Sequence, residues 1–151
     1  MVYLLKANNF YKIGITKNKV SNRVKGLQTG CPFKIEIFDT FETRNDLAVE
    51  NALHKIFRNK GTYGEWFELL NEDIEKLYST IDYIQSFTKE NDNIFLFTKE
   101  SIIYDINKKE NKTVSVEIIK CKKINERQDS TLNIKLLSDG EYLSVYASEV
   151  I

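Results

Sequence analysis

Two short apolar-rich runs open the chain, over residues 2–6 and 10–16, and both have the length and make-up of strands. Asn8-Asn9 separates them. Asn tolerates a positive φ, so the pair predicts a two-residue hairpin loop. The apolar period then lengthens. Val20, Val24 and Leu27 fall at i, i+4 and i+7, which predicts a helix over 19–29 that Gly30-Cys31-Pro32 ends. Alternation over 34–41, with Ile35, Ile37 and Asp39 against Glu36, Phe38 and Thr40, predicts a third strand. A second helix follows over 46–58, its stripe made of Val49, Ala52, Leu53, Ile56 and Phe57. A loop near Gly61 and Gly64 leads to a short extended piece over 65–69. A third helix spans 71–88, with Ile74, Leu77, Tyr78, Ile81 and Ile84 inward and Asn71 as its cap.

The polar stretch 88–93 marks a boundary, because the texture beyond it is β. Runs at 94–98, 102–106, 113–123, 131–137 and 142–148 are separated by turn signals, notably 107–111 and Ser138-Asp139-Gly140. Five short strands in so short a segment predict a small barrel or curled sheet. The expected organisation is an α+β unit over 1–90, with three antiparallel strands flanked by helices, and a small all-β unit over 91–151.

Composition narrows the class. With 42% hydrophobic and 29% charged residues, the chain has the balance of a soluble globular protein. No apolar run approaches the roughly 20 residues that cross a bilayer, so no membrane partner is expected. Met-Val-Tyr-Leu-Leu-Lys has no basic region before its apolar stretch and is read as a strand rather than a signal peptide. Cys31 and Cys121 are far apart and in no CxxC arrangement, which predicts a reduced, cytoplasmic protein. One His and two Cys leave too few ligands for a structural zinc.

The formal charge is zero, yet its distribution is uneven. Residues 1–35 hold seven basic side chains (Lys6, Lys12, Lys17, Lys19, Arg23, Lys25 and Lys34) and no acidic one. Such a segment suits a phosphate backbone, with Lys17, Lys19 and Lys25 as nucleic-acid contacts. It equally describes a solvated lysine face balanced by acid elsewhere. From Asn91 on the balance is nine basic to ten acidic residues, so Lys120, Lys122 and Lys123 leave nucleic-acid contact, protein binding and dimerisation equally open for the second unit.

Six positions carry candidate chemistry. A two-residue loop sets Tyr3 opposite Gly14 and Leu5 opposite Lys12, so Tyr3 and Lys12 share a face as diagonal neighbours roughly 7–8 Å apart. Gly14 leaves space beside the ring. An ammonium beside a phenol favours the phenolate, and a water between them becomes a candidate nucleophile. The same pair also fits a half-buried strand with its Tyr in the core and its Lys in water. Arg23 borders the Val20/Val24/Leu27 stripe, where it offers its fork to a phosphate or snorkels over the core edge. Glu50 and His54 form an i, i+4 pair beside the second apolar stripe. One carboxylate suffices for Mg²⁺, which keeps most of its waters, and His54 would orient Glu50 or touch substrate. A plain surface ion pair has the same spacing. In Gly64-Glu65-Trp66-Phe67, the aromatics cover the core and Glu65 is the remaining candidate.

Taken in order, Met1-Val2-Tyr3, Lys12-Ile13-Gly14, Arg23, Glu50-Asn51-Ala52-Leu53-His54 and Gly64-Glu65-Trp66-Phe67 resemble a GIY-YIG nuclease domain. The nearest pattern is the T5orf172- and Mug113-like branch, with a KIG second motif and a terminal GEWF. The resemblance covers 1–70, or 1–90 with the third helix, and does not reach the β-rich end. It implies a metal-dependent DNA endonuclease in a phage or mobile-element setting, acting on duplex or branched DNA with Mg²⁺ or Mn²⁺. By resemblance Tyr3 is the general base or its relay, Lys12 assists it, Arg23 binds the scissile phosphate, Glu50 holds the metal, and His54 joins the catalytic set. The departures are Lys12 in place of the second motif's tyrosine, Leu27 four residues after Arg23 where many members have His or Tyr, and the absence of a later Asn near Glu65. The β unit resembles an SH3- or Tudor-like barrel, suited to targeting or assembly. Homo-oligomers are compatible with all of this. A catalytically weak or inactive nucleic-acid-binding or protein-interaction module is the alternative that the departures raise.

Overall fold

Asn8 adopts φ 55°, and that one residue lets β1 (Val2–Ala7) turn directly into β2 (Phe10–Ile15). Ala7 pairs with Phe10, which fixes every later pair: Leu5 with Lys12, Leu4 with Ile13 and Tyr3 with Gly14. The register is the one a two-residue loop imposes. The computed structural model describes residues 1–90, 94–105, 110–126, 131–136 and 142–146, with side chains for 1–86, Leu96, Ile118, Lys120, Cys121 and 143–146. The chain divides into two compact units, Met1–Phe87 and Thr88–Ile151.

In the first unit, α1 (Val20–Gln28) follows the hairpin, then β3 (Glu36–Phe41), α2 (Asp46–Ile56), a 3-10 turn at Arg58–Lys60, β4 (Trp66–Phe67) and α3 (Asn71–Glu90). The sheet is antiparallel in the order β3-β1-β2-β4. It has four strands rather than the three expected, because the extended piece after Gly64 pairs with β2 at Tyr11 and Lys12. Two residues with partners more than 50 positions away leave no periodicity to read.

Pleating sends alternate residues to opposite faces. Tyr3, Leu5 and Ala7 lie under α1 and form a buried cluster with Val20 and Ile35, edged by Val24, Leu27 and Trp66. Burying the Leu5, Val20 and Ile35 side chains contributes about 1.5–3 kcal/mol each. The opposite face is covered by α2, which packs on β1 and β2, and α3 meets the sheet at β3. Tyr78 of α3 lies edge-on to Phe41, and its hydroxyl donates to Asp39 at 2.7 Å. Burial, with that bond second, raises the Tyr78 phenol to about 12. Leu77, Ile81 and Ile84 are buried, whereas Ile74 and Tyr78 are half-buried.

The helix starts have distinct causes. Asn45 caps α2 by accepting from the Ala48 N–H at 3.2 Å. Asn71 does not cap α3. It is the first helical residue, and the Asp73 carboxylate reaches back to the Leu70 N–H at 2.9 Å, a capping-box interaction.

The second unit is an antiparallel meander in the order β5 (Ile94–Asp105), β6 (Glu110–Glu126), β7 (Thr131–Leu136), β8 (Tyr142–Tyr146). The two strands expected over 94–106 are one strand, irregular in register between Ser101 and Ile102. The turns expected near 107–111 and at Ser138-Asp139-Gly140, and the side chains of Lys122 and Lys123, lie at least in part outside the described residues, as do the connections on which barrel closure depends. Lys120 is exposed. Cys31 and Cys121 are both free thiols, and burial raises Cys121 to about 11. Among the described residues no helix is long and apolar enough to cross a membrane.

Candidate functional site

The Tyr3 ring lies against Gly14. A Cβ on Gly14 would stand 2.6 Å from Tyr3 Cζ and 2.9 Å from Cε2, so only glycine fits there with the ring in place. The ring is 1% exposed. Packing of Val20, Val24 and Leu27 on the sheet leaves Arg23 at the border of α1, largely exposed. Its Nε donates to Tyr3 Oη at 3.3 Å. That bond, with the Tyr3 oxygen, Glu65 and Glu50 nearby, raises the already high pKa of the guanidinium.

Lys12 stands on the same face two residues before Gly14, as the register requires, and is 5% exposed. A buried ammonium needs a counter-charge. It donates to Glu65 Oε2 at 2.5 Å, and it lies 5.9 Å from the centre of the Trp66 ring. The expected Tyr3–Lys12 adjacency is therefore present in the backbone, but the cation bonded to the phenol is Arg23, and Lys12 is engaged with a carboxylate. Glu65 arrives on a tight turn in which the Trp66 N–H bonds the Tyr63 carbonyl at 3.3 Å and Gly64 takes φ 63°. A positive φ at the first central position is the glycine site of a II′ turn.

The two-residue β4 has a second effect. It covers β2 only at Tyr11 and Lys12, and two side chains of α2 occupy the next stretch of that edge. His54 Nε2 sits 3.0 Å from the Ile13 carbonyl, to which it must donate, and its ring tilts against Phe67 at 5.2 Å. The Ile15 N–H donates to the Glu50 carboxylate. Glu50 is half-buried. Burial first, and then Glu65, raise its carboxyl above the usual range, against the opposing pull of His54, Lys12 and Ile15. Glu65 is shifted the other way, its carboxyl lowered chiefly by the bond to Lys12 against its partial burial, with help from His54 and Arg23.

Tyr3, Lys12, Arg23, Glu50, His54 and Glu65 are thus one interacting cluster drawn from β1, β2, α1, α2 and the turn before β4. Two cations face two carboxylates, so the centre is near neutral, and the basic excess lies outside it on exposed Lys17, Lys19 and Lys25. These three stand apart from the cluster's hydrogen bonds. Tyr11 points to the opposite face, 5.2 Å from the Phe38 ring centre. The main-chain partners at Ile13 and Ile15 have no signal in the sequence. Glu65 has one, its place in the Gly64-Glu65-Trp66-Phe67 run.

Among the described residues no group of three or more His, Cys, Asp or Glu side chains could hold a metal ion. The donor set suits a hard cation that keeps its waters. Glu50 is a partly desolvated carboxylate destabilised by a neighbouring carboxylate, and a divalent charge would offset that repulsion.

No curated protein and no solved structure matches the chain significantly. A family model, the T5orf172 domain, associated with the GIY-YIG-like nuclease branch, matches residues 1–82. That span is more than half of the 151 residues and contains all six members of the cluster, and the chain belongs to the T5orf172 domain family.

Proposed function

We propose that the first unit is a metal-dependent endonuclease that hydrolyses DNA phosphodiester bonds at this cluster. The observation that carries the reading is the convergence of Tyr3, Arg23, Lys12, Glu50, His54 and Glu65 within mutual electrostatic reach. Arg23 uses Nε on Tyr3, and its terminal NH₂ groups offer a fork for the scissile phosphate, where they also offset charge that develops on the oxygens. Tyr3 Oη, held by that bond, takes or relays the proton of the attacking water. Lys12 keeps Glu65 in place at the base of the site, and His54 braces the β2 edge beside Glu50. Glu50, with Glu65 and His54 in electrostatic reach of it, would hold Mg²⁺ or Mn²⁺. The bound ion would polarise the phosphate and lower the pKa of a water. Lys17, Lys19 and Lys25 bind flanking phosphates. The second unit serves targeting or assembly, the task an SH3- or Tudor-like barrel would also perform.

Incubating the full chain with duplex and branched DNA, with Mg²⁺ and with Mn²⁺, tests the reading. Nicking that depends on metal and disappears in Glu50→Ala is expected. No cleavage of any substrate, or cleavage untouched by Glu50→Ala, refutes it.

A second reading is motivated by the burial of the phenol, since Tyr3 is 1% exposed and bonded to Arg23. On that reading the unit binds nucleic acid without cutting it. Salt-dependent DNA affinity with no hydrolysis in either metal would favour it.

A further inference from the structure

A groove of about 600 Å³ lies between the C-terminal half of α1, the tip of the β1–β2 hairpin and the turn before β4. Phe10, Leu27, Pro32, Phe33, Tyr63 and Trp66 supply most of its wall, and none of its lining residues is charged. Two of the rings are open to solvent, Tyr63 at 90% and Phe33 at 46% exposure. Gly26 and Gly30 also line it, and a Cβ at either would meet nothing within 4 Å. Gly26 sits inside a nine-residue helix, where glycine costs stability. Packing does not demand it. Its effect is a bare stretch of backbone against which a flat ring can lie.

The groove and the cluster share walls. Leu27 is one turn from Arg23 on the same side of α1. Trp66 pairs with Lys12, whose ammonium lies over its ring, and Glu65 is carried on the same turn as Tyr63. A strand with one phosphate at Arg23 would therefore bring an adjoining base to the groove's mouth. An uncharged aromatic slot beside a helix bearing Arg23 and Lys25, with Lys17 and Lys19 just before its first turn, has the make-up of a stacking platform on an electrostatic track. A base inside a duplex has both faces covered, so only an unstacked one can enter.

We propose that this groove receives an unpaired nucleobase next to the phosphate at Arg23 and directs the site to single-stranded or locally opened DNA. The inference rests on the reading of the cluster as a phosphate site. Trp66 is the only tryptophan, so its emission reports on the groove directly. The full chain, without metal, is titrated with oligodeoxythymidylate and with an abasic oligomer of equal length, which keeps the phosphates and lacks the bases. Thymidylate should quench Trp66 and bind roughly tenfold or more tighter than the abasic strand. Gly26→Leu, which fills the slot at a position helices tolerate, and Tyr63→Ala should each reduce thymidylate binding to the abasic level. Equal binding and quenching by the two oligomers, or thymidylate binding unchanged in both variants, overturns the proposal. So does a concentration-dependent dimer that Gly26→Leu abolishes, since a second copy would then fill the groove. Base-dependent binding without cleavage in Mg²⁺ or Mn²⁺ removes hydrolysis and keeps the groove. Cleavage with no base dependence removes the groove and keeps hydrolysis.

Discussion

Gly14→Ala is the sharpest perturbation of the site. The new methyl would stand 2.6 Å from Tyr3 Cζ and 2.9 Å from Cε2, well inside contact distance, and the ring has little room to yield because it is 1% exposed among Leu5, Ala7, Val20 and Ile35. Overpacking of this kind costs about 1–3 kcal/mol. Replacing glycine in a strand returns roughly 0.5–1 kcal/mol through backbone entropy. The net expectation is a loss centred on about 1 kcal/mol and reaching about 2.5 kcal/mol, with roughly 4–8 °C of melting temperature per kcal/mol for a unit of this size. Urea and thermal melts followed by Trp66 emission report on the first unit, which contains the only tryptophan. The decisive comparison is Gly14→Ala in a Tyr3→Leu background. With the ring gone the alanine should be neutral or stabilising, which leaves a coupling of about 1–3 kcal/mol between the two positions. A coupling below about 0.5 kcal/mol would refute the reasoning, because the cost would then lie in the strand backbone and not in the ring. Displacing the ring also breaks the Arg23–Tyr3 bond, so the same variant should lose nicking activity.

Glu50→Gln should stabilise the fold while abolishing metal-dependent cleavage. Burial raises the Glu50 carboxyl, so the folded state favours its proton; the associated stability is present at low pH and lost as pH rises through the raised pKa. The variant should therefore melt a few degrees higher at pH 7, with the gain fading below the ordinary carboxylate pKa of about 4.3; an equal gain at both pH values counts against it. Glu65→Gln should destabilise at neutral pH. Its lowered carboxyl contributes stability present above the ordinary pKa and lost as pH falls through the lowered one. The carboxylate is 47% exposed, so solvent screening holds the expected loss to about 1 kcal/mol in a denaturant melt. Arg23→Lys, which keeps the charge and removes the fork, should reduce single-turnover nicking about 10²–10³-fold with little change in melting temperature; wild-type rates in that variant would remove Arg23 from the phosphate.

The hairpin register is legible in the sequence because Asn8-Asn9 is both turn chemistry and loop length. Once Ala7 pairs with Phe10, the position of Tyr3 over Gly14 follows. The helices are legible from their stripes, and Arg23 and Glu50 from their places at stripe borders. The partners of these residues are not legible. Whether Lys12 reaches Tyr3 or Glu65 depends on the turn at Gly64, which no periodicity describes. The fourth strand is two residues long, shorter than any alternation can reveal. His54 has no signal for its bond to the Ile13 carbonyl, because a main-chain acceptor leaves no mark in composition.

The brevity of β4 bears on how the protein behaves in a crowded solution. An uncovered strand edge is a template for another chain's strand, and proteins commonly blunt such edges with charge or cover. On β2 the blunting beyond Lys12 comes from His54 and Glu50. Removing both side chains would open a row of main-chain donors and acceptors, so His54→Ala combined with Glu50→Ala should self-associate, with light scattering that grows with protein concentration. A double variant as monodisperse as the parent would show the edge to be protected by other means. If the edge does open, any change that removes Glu50 and His54 would carry a solubility penalty unless a longer fourth strand or a new charge on β2 came with it.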